Sequence, residues 1–389
     1  MQRIVIVGGG FVGLHVVRHL RKHLREGAEI TLVDRNERFV FSPWLIDALA
    51  GQMDIPDYSA SYQEMAARDG WKFALGEAGM VDRNAKLLDV VMADGSKTAL
   101  PYDWLVICPG SKTAYYGIPG ADTNALPLKT LADVKHIHER LAEVVKQARV
   151  ADDATATKLL RFLIVGGGPS GIESVFAIKR YLQHELLSDA PRLAAKLHFT
   201  LVDGGKNILN GFKDSIVAGA RKAVERQGVE IVNGDPAASV EPDALVLKSG
   251  KRLEASLILW CAGVSPNDMP AKPDLPHDVK NALTCDNCLR LEHAIYGAGD
   301  AVTFMDENGK PAARTAQTAM QQANTLADNV LRAVAGQEAL PYHHHVKGFI
   351  LTFGDTGYLD TPIGGHMFPT VVPVRHWFYR FRFWQMTGR

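Results

Sequence analysis

Three kinds of side chain in this 389-residue sequence are spaced for chemistry: glycines in G-x-G-x-x-G order, aspartates that follow them, and two glutamines one helical turn apart. The glycines come twice. Gly8, Gly10 and Gly13 close residues 3–13, RIVIVGGGFVG, and Gly166, Gly168 and Gly171 close residues 161–171, RFLIVGGGPSG. Each set follows a short Ile/Leu/Val run that reads as a buried parallel strand. A glycine turn at that point brings backbone N–H groups, and the positive end of the next helix, close to a pyrophosphate. One such motif is weak evidence. Here it is followed by ITLVD, ending at Asp34, and its copy by FTLVD, ending at Asp203, a duplication that chance does not readily produce. An aspartate at this strand end accepts hydrogen bonds from adenosine ribose hydroxyls and repels a 2'-phosphate, so Asp203 argues for NAD over NADP. Asp34 lies 21 residues beyond Gly13, but Asp203 lies 32 beyond Gly171, which predicts extra turns in the second helix.

The elements that must position these residues repeat as well. Residues 102–111, YDWLVICPGS, and 255–263, ASLILWCAG, are matching buried strands that end in glycine, with Cys108 and Cys261 in equivalent places. Equivalent positions in two copies of one fold mark these thiols as small packing residues. Residues 126–262 therefore read as one complete unit inserted into another, which resumes with AIYGAGD at 294–300 and closes with a helix over 315–333. The expected architecture is α/β: two nested Rossmann-like dinucleotide-binding domains, residues 1–125 with 263–335 and residues 126–262, followed by a C-terminal segment, 336–389. Pro43 in FVFSPWL starts a helix close to the first nucleotide loop, Asp94-Gly95 turns a hairpin over 81–100, and residues 150–157 form a polar surface connection.

Composition sets bounds on function. Lysines and arginines equal the acids at 43 each, which gives no global charge for a nucleic-acid partner. Four cysteines are too few for a disulfide scaffold. The first strand begins at residue 3, leaving no room for a signal peptide, and no 18-residue apolar run is present. These features read as a cytoplasmic protein.

The two nested units, with YDWLVICPGS and IYGAGD, resemble the two-dinucleotide-binding-domain flavoproteins over residues 1–335. That resemblance implies FAD in the first unit, on Gly8, Gly10, Gly13 and Asp34 with Asp300 at the ribitol, and NADH in the second, on Gly166, Gly168, Gly171 and Asp203. Cofactor binding extends to Phe11, Val12, Arg35, Pro43, Gly110, Gly263 and Gly299. Disulfide reductases of this group need a cysteine pair after the first unit, yet none precedes Cys108. Sulfide:quinone reductases need one between the halves, and residues 114–260 hold none. Residues 316–322, AQTAMQQ, resemble the A-Q-x-A-x-Q segment of type II (single-subunit, non-proton-pumping) NADH:quinone oxidoreductases. FVFSPWLIDALAG, and Gly171-Ile172-Glu173, are similar to further motifs of those enzymes. The likeness makes Glu173, Gln317 and Gln321 the catalytic set, with ubiquinone or menaquinone as electron acceptor. Residue type alone leaves other roles open, a solvated helix face for the glutamines and a helix-dipole contact for Glu173.

Cys285 and Cys288 form a C-x-x-C that supplies two of four zinc ligands, but the nearest others, His277 and His293, have no standard spacing, so the pair reads as incidental or weakly redox-active and no metal is expected. His343–His345 read as a surface run. The tail carries Arg375, Arg380, Arg382 and Arg389 and no acid beyond Asp360. A helix over residues 374–386 gathers Val374, Trp377, Phe378, Phe381 and Trp384 on one face, with Arg375, Tyr379 and Arg382 on the other. Basic and aromatic, such a helix lies in a membrane interface, here at the inner face of the cell membrane. Its apolar face is equally suited to the protein's own core or to a homodimer partner. A soluble reductase of a ferredoxin or rubredoxin, or a low-turnover flavin-bound NADH sensor, are the competing functions.

Overall fold

The computed structural model describes residues 1–52, 59–268, 275–307, 309–345, 348–354, 356–361, 364–368 and 370–388. The Ile-Val-Ile-Val run that ends the first strand, Gln2–Val7, is buried, and the chain turns at Gly8 into helix α1, Phe11–Leu24. Strand Ala28–Asp34 returns parallel to the first in register Ile4↔Ile30. In spatial order the sheet of eight runs Arg290–Glu292, Ile295–Gly297, Trp104–Ile107, Gln2–Val7, Ala28–Asp34, Lys72–Asp82, Leu87–Met92, Lys97–Pro101. Its last three strands form antiparallel hairpins, the final turn made at Asp94-Gly95.

A second sheet repeats the plan in five strands: Leu126–Pro127, Leu257–Trp260, Arg161–Val165, His198–Asp203, Val229–Asn233. Its helices include α3, Leu131–Val150, opened by a Thr130/Asp133 capping box, and α4, Pro169–Tyr181. Between Arg161–Val165 and His198–Asp203 the additional residues form a π-helical turn, Leu182–Leu186, and a one-turn helix, Pro191–Ala194. They are not the extra α-helical turns expected. Residues 150–157 also differ from the expected open connection, because Asp152 caps a helix, Asp153–Leu159, whose Ala156 is buried.

Helix α5, Ala316–Val334, packs its buried face on α1 and closes the first core. Beyond it lies more structure than the sequence suggested. Strands Phe349–Phe353, Thr356–Thr361 and Gly364–Phe368 make a separate antiparallel sheet, and helix α6, Val371–Thr387, follows. Leu351, Phe353 and Tyr358 join the core of the inserted unit, whereas Phe383 and Met386 join that of the first. The C-terminal segment thus straps the two units together. Among the described residues no helix is long and apolar enough to cross a membrane.

Candidate active site

The first glycine loop is held open by its neighbours. Gly8 takes φ +94°, and a Cβ there would lie 2.3 Å from the Cys108 carbonyl oxygen. Only glycine fits. Gly9 N–H donates to Asp34 Oδ2 at 2.6 Å, and the Tyr62 hydroxyl donates to the Gly9 carbonyl at 2.7 Å. Gly10 meets nothing within 4 Å on its open side, where a cavity of about 610 Å³ begins. Gly8, Phe11, Val12, Asp34, Arg35, Gly110, Gly299 and Asp300, all expected at a cofactor, line it. Gly13 packs behind the loop against the Gly8 carbonyl, and Pro43 lies in the turn Ser42–Trp44, outside the cavity lining. Gly263 stands apart, at φ +144° against the Tyr116 hydroxyl in the connection between the two sheets.

At the far end of the cavity sits a polar group that sequence reading only partly found. Asp300 Oδ2 accepts from Ser111 Oγ at 2.6 Å, Lys129 Nζ donates to Ser111 Oγ at 2.8 Å, and Lys129 lies 4.0 Å from Asp300. Gly299 N–H donates to the buried Gln322 Oε1 at 2.7 Å, which sets the turn that presents Asp300. Ser111 closes the YDWLVICPGS stretch without having been singled out there, and Lys129 carried no motif beyond its position at the crossing into the second unit. Gln322 lay in the AQTAMQQ stretch, beside the two glutamines chosen there.

Those two glutamines turn away from a solvated face. Gln317 Nε2 donates to Gly348 O at 2.8 Å, and Gln321 Nε2 donates to His345 O at 2.7 Å. They tie down the chain after α5, while Ala316 and Ala319 of the same helix line the cavity.

The second loop copies the first in three dimensions. Gly166 takes φ +112° with the Cys261 carbonyl oxygen 2.4 Å from a Cβ, and Gly171 packs on the Gly166 carbonyl as Gly13 packs on that of Gly8. Gly167 N–H donates to Asp203 Oδ2 at 2.6 Å, the counterpart of Gly9 and Asp34. Gly168, like Gly10, faces open space.

Glu173 is not a first-turn dipole contact. It lies in the second turn of α4, where its Oε1 accepts from Thr352 N–H at 2.9 Å and Thr352 Oγ1 at 2.6 Å. Burial raises its pKa, opposed by the Arg375 charge 3.5 Å away. Arg375, on the side of the tail helix opposite the aromatic stripe, is buried: its Nη2 donates to Asp47 Oδ1 at 2.5 Å, and His376 Nε2 lies 2.8 Å from the same oxygen. Asp47 belongs to α2, Leu45–Leu49, directly after the aromatic loop of residues 39–44. Its Oδ2, and Arg375 Nε, have no hydrogen-bond partner among the described residues. Phe383 packs on Trp44 with ring centroids 5.0 Å apart, fixing α6 against that loop. Glu173 and Asp47 lay in stretches singled out along the sequence, but their meeting with Arg375 carried no local signal, because the three are far apart along the chain.

The profile of the pyridine nucleotide-disulphide oxidoreductases matches residues 2–323. The chain belongs to that family. Among curated relatives, the demethylphylloquinone reductase NdbB of Synechocystis is 27% identical and covers 98% of this chain and 93% of its own length. A type II NADH:quinone oxidoreductase of Haemophilus influenzae is 26% identical over 91% of this chain and 86% of its own. The structure of NDH2 from Plasmodium falciparum in complex with NADH superposes with a TM-score of 0.88, at 18% identity, over 99% and 97% of the two chains, a likeness of fold. The disulphide chemistry in the family's name has no counterpart at this site. Cys108, the thiol lining the cavity, is buried and donates to Val7 O at 3.2 Å and Gly8 O at 3.4 Å, and burial raises its pKa strongly. Cys261 is pushed up to about 12 by burial, and Cys285 likewise. As members of this family use flavin and pyridine nucleotide, the open loops, the cavity and the polar set at Asp300 form a cradle of fitting shape and donors.

Proposed function

We propose that this chain is an FAD-dependent type II NADH:quinone oxidoreductase, converting NADH, a proton and a quinone into NAD⁺ and quinol without pumping protons. The observation that carries it is the pair of matching glycine loops, each braced by a strand-end aspartate, the first of them opening onto a cavity whose lining thiol, Cys108, is buried and hydrogen-bonded to the backbone. The type II names of relatives that align over most of their own length support the same reading. Hydride acceptance from NADH and two-electron delivery to a quinone are the chemistry a bound flavin supplies.

The chain's own residues bind, orient and hold protons. Residues 1–125 with 263–335 take FAD, with Gly8, Gly10 and Gly13 at the pyrophosphate, Asp34 at the ribose, and Asp300, Ser111 and Lys129 at the polar end. Residues 126–262 take NADH, and the Asp203 carboxylate selects against a 2'-phosphate. Glu173, in α4 of the second unit, is held by Thr352 and Arg375, its pKa raised by burial against the pull of the Arg375 charge. Gln317 and Gln321 fix the segment beside the cavity mouth, where small Ala316 and Ala319 leave room for a quinone ring. Residues 336–389 rest on the inner face of the cell membrane. Trp377 and Trp384 of α6 are 68% and 55% exposed, with Val374, Phe378 and Phe381 beside them. A second copy of the chain would cover the same stripe, and vesicle binding separates the two cases.

Anaerobic stopped-flow tests the proposal: the flavin-loaded protein is reduced with NADH and then mixed with a short-chain ubiquinone or menaquinone analogue. Rapid reoxidation, slowed by Gln317→Ala or Gln321→Ala, is the expected result. A flavin that NADH reduces and both quinones leave reduced overturns it, in favour of a protein acceptor or a sensor.

A further inference from the structure

Helix α1 ends in a cluster of cations, Arg18, Arg21, Lys22 and Arg25. The ordinary duty of such residues is to meet the negative end of the helix dipole or to pair with acids. Two of them are so engaged. Arg18 Nε binds Asp69 Oδ2 at 3.1 Å and its Nη1 donates to the Gln385 carbonyl at 2.9 Å, while Arg21 Nη1 donates to Ala28 O at 3.3 Å. Lys22 and Arg25 are exposed and form no ion pair among the described residues. All four rim a cavity of about 720 Å³ whose other wall is the last turn of α6, at Gln385 and Met386. The acids at its edge are Glu26 and Asp69, and Asp69 is already shared between Arg18 and Arg68. The concavity is therefore net cationic.

Its position gives the charge a meaning. Trp384, which precedes Gln385, ends the exposed apolar stripe of α6. An aromatic stripe that terminates at a cationic hollow follows the polarity of a lipid monolayer, hydrocarbon first and phosphate beside it. We propose that the hollow between the end of α1 and the last turn of α6 holds the phosphate of an anionic phospholipid headgroup, with Lys22 and Arg25 as its free cations. Arginine forms paired hydrogen bonds to phosphate oxygens, and lysine supplies a mobile point charge. The proposal rests on the membrane-facing reading of α6 given above.

The test is co-sedimentation of the flavin-loaded protein with vesicles of phosphatidylcholine alone and of phosphatidylcholine with phosphatidylglycerol. The expected wild-type result is partition to both, stronger with phosphatidylglycerol. A Lys22→Ala/Arg25→Ala variant loses that gain by about fivefold for each cation removed. It binds phosphatidylcholine vesicles as the wild type does, and oxidises NADH with a soluble quinone analogue at the wild-type rate. A variant that keeps the full phosphatidylglycerol gain overturns the site, as does an equal loss from Lys146→Ala/Lys158→Ala, which removes the same charge from another surface. Stabilisation of the wild type alone by inorganic phosphate, with vesicle partition unchanged in the variant, assigns the hollow to a free anion and also overturns it. If the wild type binds neither vesicle, the membrane-facing reading itself fails and takes the site with it.

Discussion

Lys129 shows how a single side chain organises the polar end of the cavity. Its ammonium stands 2.8 Å from Ser111 Oγ, which in turn donates to Asp300, so one cation keeps a hydroxyl and a carboxylate in place beside the cofactor cradle. Hydrogen bonds to charged groups contribute about 1.5–3 kcal/mol. Lys129→Met is accordingly expected to weaken flavin retention by roughly tenfold to a hundredfold, measured by fluorescence titration of the deflavinated protein with FAD. Retention equal to the wild type would remove Lys129 from the cofactor's surroundings. Asp34 and Asp203 act at the same scale but through the backbone. Each accepts a loop N–H at 2.6 Å and so braces the turn.

At the scale of elements, α6 is joined to the rest by a buried ion pair and by its aromatic contacts. Arg375 and Asp47 have side chains 4% and 1% exposed, and a buried charge stripped of its partner costs about 3–5 kcal/mol. Arg375→Ala should destabilise the protein by about that amount, whereas Arg375→Met with Asp47→Asn, which removes both charges, should recover most of it. Urea unfolding of the three proteins decides this, and equal stability of single and double variants would deny the pair its role. Helix α1 carries a pH dependence of its own. Burial pushes His15 down to about 4, below the 6.5 of an open chain, so the folded form binds this proton less tightly than the unfolded form. The stability this contributes is present above pH 6.5 and is lost as pH falls toward 4, about 3 kcal/mol for the group. His15→Gln should show a flatter stability curve over that window in chemical denaturation; an unchanged slope would assign the acid sensitivity elsewhere.

At the scale of the whole molecule, two repeated units meet at a tail that belongs to both. Its strands enter the core of the inserted unit, its helix enters that of the first, and its outer stripe is left to water or to a membrane. Replacing Trp377 and Trp384 by serine should therefore abolish most partition to neutral vesicles while leaving turnover with a soluble quinone analogue intact. Retained partition would place the membrane contact on another face.

Much of this organisation was written in local patterns. Gly8, Gly10, Gly13 and their copies, the strand ends at Asp34 and Asp203, and the GAGD turn at Asp300 each follow from a few adjacent residues, because a tight turn between a buried strand and a helix imposes its requirements on its own sequence. Duplication, visible along the chain, then pointed to the nested α/β architecture and the family. What only the tertiary structure decided involves residues that are distant along the chain. Asp47, Glu173, Thr352 and Arg375 meet because three helices and a strand from different parts of the chain converge, and Lys129 reaches Ser111 only once the second unit folds back on the first. Helical periodicity marked the two faces of α6 correctly but not which one turns inward. Its inward face is the one on which Arg375 meets the buried carboxylate of Asp47 while Phe383 packs on Trp44, contacts made by residues distant along the chain that periodicity does not register.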